Sequence, residues 1–65
     1  MKKQPTWDEL YNYVDSLAIE GDEKAEDIIT SLGYNAPYDL LYDFVDNKVI
    51  EGDERAEELM STDAQ

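Results

Sequence analysis

Apolar side chains recur along this chain at the spacing of one helical face. Trp7, Leu10, Tyr11, Val14, Leu17 and Ala18 fall at i, i+3, i+4, i+7, i+10 and i+11, which is a single stripe on a helix of 3.6 residues per turn. Thr6 stands where an N-cap belongs, and Glu9, three residues on, completes a capping box. Gly21 suits the left-handed position that ends such a helix. Asp22 then caps a second helix, in which Ala25, Ile28, Ile29 and Leu32 resume the spacing until Gly33 closes it. Pro37 is tolerated in the first turn of a third helix marked by Tyr38, Leu41, Tyr42, Val45 and Val49. After a Gly52-Asp53 turn, Ala56, Leu59 and Met60 mark a shorter fourth. The pattern predicts four helices and no strand.

The same pattern is written twice. Laid over itself at an offset of 31, the chain matches at 12 of the 24 positions from Trp7 to Thr30. Ile19-Glu20-Gly21-Asp22-Glu23 falls on Ile50-Glu51-Gly52-Asp53-Glu54. The expected architecture is all-α, a compact four-helix unit made of two tandem helical hairpins in one domain over residues 1–65. The hairpins are expected at 6–33 and 36–61, with tails at 1–5 and 62–65. Two differences break the symmetry. Leu40 and Phe44 widen the apolar arc of the third helix where the first has Glu9 and Tyr13, which predicts that the third helix is the most buried. Lys48 replaces Leu17, so that end of the stripe is expected to be exposed or to reach an acidic neighbour. The early aromatic Trp7 and the Gly-Asp turn between helices resemble the tetratricopeptide-type solenoids. The stretch from Trp7 to Gly21 is about one turn too long for that family, and two copies fall short of the ~3 repeats that a solenoid needs.

Composition changes the picture mainly through charge. There are 17 acidic residues against 5 basic ones, a formal net charge of −12, and Lys2 and Lys3 lie ahead of the first helix. Trp7, Phe44 and five tyrosines argue against a disordered acidic tail. With no cysteine and no histidine, disulfides and the commonest soft metal ligands are excluded together, so a domain of this size must rely on helix packing or on oligomerisation. No apolar run approaches the ~20 residues of a membrane span, and no signal-like stretch opens the chain. A cytoplasmic protein, monomer or homodimer, is expected. An anionic membrane or a nucleic acid would repel it directly, and the basic surface of another protein would attract it.

Candidate chemistry is confined to carboxylates. A general acid needs a buried carboxyl of raised pKa beside a differently tuned partner, and nearly all Asp and Glu here fall on polar arcs. No histidine, cysteine or nucleophile elbow accompanies them, so neither an enzyme nor a cofactor is expected. The Glu-Gly-Asp-Glu turns lack the alternating ligands of a calcium loop, so no metal site is expected either. What remains is the arrangement of the charges. Asp39, Asp43 and Asp46 form one column on the third helix, and Asp8, Asn12 and Asp15 the matching column on the first. Neighbours of this kind sit about 6 Å apart, close to the spacing of successive phosphates on a nucleic-acid strand.

Two functions are compatible with this pattern. In the first, the protein is an acidic inhibitor or decoy that occupies the basic, nucleic-acid-binding site of a partner as a DNA mimic, through Asp39, Asp43, Asp46, Asp8 and Asp15. It is similar in size and charge to small acidic proteins, many from bacteriophages, that block nucleic-acid-binding proteins. The alternative is an adaptor or assembly protein that binds through an aromatic face of Tyr13, Tyr34 and Tyr38 with Trp7, the charge serving solubility. Tyr11 and Tyr42 lie within the stripes and are expected at the core edge with hydroxyls in solvent. Self-repulsion among so many carboxylates opposes folding at neutral pH. Melting in low salt is therefore expected at a higher temperature near pH 5 than near pH 7; a lower one would show the acidic faces to be locally compensated.

Overall fold

The structure, a computed structural model, describes residues 5–60. Lys2, Lys3 and the tail expected at 62–65 lie outside the described residues. The fold is all-helical, with no strand among the described residues. Its helices are α1, Trp7–Glu20; α2, Glu23–Ser31; α3, Tyr38–Glu51; and α4, Glu54–Met60, with a single 3-10 turn at Gly33–Asn35 between α2 and α3.

Local hydrogen bonds set the helix ends. At the start of α1 the Glu9 N–H donates to Thr6 Oγ1 (3.2 Å) and the Thr6 N–H donates to Glu9 Oε1 (2.8 Å), the capping box expected there. At its end Gly21 takes φ 106°, its N–H donates to the Ala18 carbonyl (3.1 Å), and the Asp22 N–H donates to the Leu17 carbonyl (2.9 Å). This is a Schellman motif, and it needs the left-handed backbone that glycine adopts without penalty. Asp22 Oδ1 at once accepts from the Ala25 N–H (3.0 Å) and so caps α2. Between α3 and α4, Gly52 takes φ 98° and donates to the Val49 carbonyl, Asp53 donates to the Lys48 carbonyl, and Asp53 Oδ1 caps Ala56 at 3.1 Å. Neither junction leaves a residue free to form a loop.

Two boundaries differ from expectation. Pro37 lies one residue before α3 rather than in its first turn, extended at φ −71°, ψ 153°. Its carbonyl accepts from the Leu40 and Leu41 N–H groups at 3.1 and 3.2 Å, so the ring sits where a missing N–H costs nothing. Pro5 is not part of a tail. It is buried, and its carbonyl accepts a hydrogen bond from the Tyr38 hydroxyl.

The core sits around α1. Leu10, Tyr13, Val14 and Leu17 of α1 are buried with Leu41, Phe44 and Val45 of α3 and with Ala25, Ala36 and Ala56. The expectation that α3 would be the most buried helix is corrected. Helix α1 packs against α2, α3 and α4, whereas α3 packs against α1 and α4, and Leu40, on the widened arc, stays 36% exposed. An apolar arc is buried only where a neighbour covers it. Helices α1 and α3 run in the same direction. At one end the Trp7 indole Nε1 donates to the Ala36 carbonyl (2.7 Å) and Tyr38 reaches Pro5; at the other, Lys48 reaches Asp22 and Arg55 reaches Glu20. No helix among the described residues is long and apolar enough to cross a membrane.

Leu10 is fully buried. Leu10→Ala is expected to cost about 2–5 kcal/mol. Against a total stability of about 3–10 kcal/mol for a chain of this length, that is enough to leave much of the protein unfolded. Ile19, on the same helix but 78% exposed, is the control: Ile19→Ala should stay within about 0.5 kcal/mol. Urea midpoints of the two variants check the contrast.

Candidate protein-docking surface

The acidic columns and the cations occupy different parts of the molecule. Asp39, Asp43 and Asp46 of α3 are all exposed, as is Asp8 of α1, while Asp15 is half-buried. None of these five enters an ion pair among the described residues. The cations gather where α1 and α3 end. Lys48 Nζ lies 2.7 Å from Asp22 Oδ2, with the two side chains only 17% and 22% exposed, and 3.6 Å from Glu51 Oε1. It also lies 5.4 Å from the Phe44 ring centroid, so its stem covers the stripe that Leu17 fills on α1. Of the two outcomes expected for Lys48, exposure or an acidic neighbour, the structure shows the second, with Asp22 as the neighbour. Arg55 grips Glu20 with both terminal guanidinium nitrogens, Nη1 to Oε2 at 2.8 Å and Nη2 to Oε1 at 3.0 Å. Lys24 borders a shallow groove of about 290 Å³ beside Lys48, floored by Phe44 and Ile50.

These pairs tune their members. The hydrogen bond from Lys48, then that from the Ala25 N–H, holds the Asp22 carboxyl below the usual carboxylate range, and Asp22 in turn raises Lys48. The Arg55 hydrogen bond lowers Glu20 in the same way.

The tyrosines do not form the single patch expected of them. Tyr13 is corrected from a docking residue to a core residue. It is 8% exposed, and its hydroxyl is buried with no hydrogen-bond partner among the described residues. Desolvation, with Asp53 nearby, pushes its phenol far above the ordinary value, and the Arg55 guanidinium lies 6.0 Å from its ring. The cause is that α1 has α4 as a third neighbour, which covers the arc where Tyr13 lies; Phe44 at the matching position of α3 was the signal for an apolar site. Tyr38 is half-buried, tied to Pro5 by its hydroxyl and stacked on Tyr42 with centroids 6.0 Å apart. Tyr34 is 81% exposed and joins Trp7 and Tyr11 in a separate cluster. Tyr11, expected only at the core edge, is therefore a member of a surface group, a role that its place in the stripe concealed.

Among the described residues no group of three or more carboxylates converges as a metal ion would require. Compared with family models, with curated proteins and with solved structures, the chain matches none.

The pairing of Asp22 has a pH signature. Its folded pKa lies below the unfolded value of about 3.9, so the stability it contributes is complete above that pH. It is lost as pH falls through the folded pKa. Asp22→Asn keeps an equally good cap but releases Lys48, and should cost about 1 kcal/mol more than Asp53→Asn at neutral pH. The variant should also lose less stability than the parent below about pH 4. Urea unfolding near pH 6 and near pH 3 reads both effects. Tyr13→Phe removes an unsatisfied buried hydroxyl and should be neutral or stabilising by up to about 1 kcal/mol, read as a rise in Tm.

Proposed function

We propose that this is a binding protein rather than a catalyst, an acidic inhibitor or decoy that occupies the nucleic-acid-binding site of a basic partner protein. The observation that carries the reading is the exposed column Asp39, Asp43 and Asp46, which enters no ion pair among the described residues, in a fold that gathers its described cations at the far ends of α1 and α3. Carboxylates at i, i+4 and i+7 repel one another by a few tenths of a kcal/mol per pair. A chain under selection for stability alone would interleave lysines there. A basic groove that holds a phosphate backbone presents the complementary charge at about the same spacing.

On this reading the chain is two tandem copies of one hairpin, and Asp8 and Asp15 of α1 repeat Asp39 and Asp46 of α3. Because α1 and α3 run in the same direction, the two columns also run in the same direction. Long-range attraction then speeds encounter with a basic site and exposes it to competition from salt. The cysteine-free chain suits the reducing cytoplasm. The adaptor reading draws on different residues, the exposed Tyr34 and Leu40, and predicts a different response to salt.

Capture of partners from lysate on the immobilised protein, followed by elution with salt or with duplex DNA, separates the two. For a decoy, affinity for the captured partner should fall at least tenfold between roughly 50 and 200 mM salt. Duplex DNA should displace the partner, and the triple variant D39N/D43N/D46N should capture little. Capture that survives both salt and the triple variant would transfer the function to the aromatic face.

A further inference from the structure

Trp7 and Tyr11 pack against the edge of the core, whose centre is Leu10, Val14, Leu41 and Val45, and with the exposed Tyr34 they form a cluster that reaches the surface. Trp7 and Tyr11 stand one turn apart on α1 and stack with centroids 4.9 Å apart and planes 11° from parallel. Tyr34, from the 3-10 turn, lies 5.0 Å from Tyr11 at 28° and 6.3 Å from Trp7 at 39°. The three rings are thus mutually adjacent. The platform is fixed at its base, because the Trp7 indole N–H is bonded to the Ala36 carbonyl at 2.7 Å. Its outer member, Tyr34, leaves 81% of its surface in solvent. Asp15 continues the column of Trp7 and Tyr11 at i+8, about 6 Å beyond Tyr11. The acidic group is close enough to help raise the Tyr11 phenol, behind desolvation and Tyr34. Asp8, exposed, flanks Trp7.

We propose that this cluster, with Asp15 at its edge, is the seat for an arginine side chain of the partner. The inference rests on the reading above that the partner is basic, and it specifies which basic residue the surface selects. A guanidinium is planar and weakly hydrated, so it lies flat on an aromatic face and still presents a fork of N–H donors to a carboxylate. An ammonium is a compact, strongly hydrated point charge that gains less from a ring and does not fork. Bare acidic columns attract both cations alike. A ring platform with a carboxylate one turn away does not. The matching place on α3 is less complete. Tyr38, Tyr42 and Asp46 keep the spacing, but the rings are 6.0 Å apart, the Tyr38 hydroxyl is held by Pro5, and no third ring joins them among the described residues.

Trp7 is the chain's single tryptophan, so its fluorescence reports the seat directly. Oligo-arginine and oligo-lysine peptides of equal length and charge are titrated into the intact protein in low salt. The parent should bind the arginine peptide about tenfold more tightly than the lysine peptide. Tyr34→Ala should bring the two affinities together, and Asp15→Asn should narrow the gap, while D39N/D43N/D46N should weaken both peptides and leave their ratio unchanged. Tyr34 is exposed, so Tyr34→Ala should melt with the parent, which circular dichroism checks. Equal affinities in the parent, or a ratio that survives Tyr34→Ala, would overturn the arginine seat while leaving the acidic decoy standing. If neither peptide binds, both readings are overturned.

Discussion

Asp22 acts in three helices at once. Its N–H closes the end of α1 on the Leu17 carbonyl, one carboxylate oxygen caps α2, and the other receives Lys48 from α3. The angle between α1 and α2 therefore depends on the same side chain that anchors the end of α3. Asp53 performs the first two tasks between α3 and α4, and Arg55, two residues on, reaches back to Glu20 at the end of α1. A domain with no disulfide and a small core holds its helices in register through these junctions, and apolar burial along α1 supplies the rest.

The helices and their caps were legible in the sequence because they are local. Thr6 with Glu9, Gly21 with Asp22 and Gly52 with Asp53 each act within a few residues of where they stand, and each forms the predicted bonds. Lys48 could be read as seeking an acid because a charge had replaced a leucine in an apolar stripe. The centrality of α1 was not legible. Periodicity says which face of a helix is apolar but not how many neighbours will cover it, and Tyr13 is buried on a side that Arg55 of α4 approaches to 6.0 Å from its ring. Tyr34 illustrates the reverse: it has no periodic context, and only the 3-10 turn brings it against Trp7 and Tyr11.

The electrostatic arrangement follows from the same junctions. Lys48 and Arg55 are held in interhelical pairs at the ends of α1 and α3, where they relieve repulsion among Glu20, Asp22 and Glu51. Among the described residues, Lys48 and Arg55 thus act where the helices meet. Asp39, Asp43 and Asp46 of α3 enter no ion pair among the described residues, so neither Lys48 nor Arg55 relieves the repulsion along that column.

The position of α1 also bears on how the chain reaches its fold during synthesis. Of the described helices α1 leaves the ribosome first, yet it is the one the other three enclose. With α2 alone beside it, the arc that contains Tyr13 and Val14 faces water until Phe44, Val45 and Ala56 have been made. Local contacts allow α1 and α2 to pair early, but the face of α1 that α3 and α4 cover stays open until those helices can pack on it. Like charge on such partly folded chains repels one from another, which opposes their aggregation at that stage.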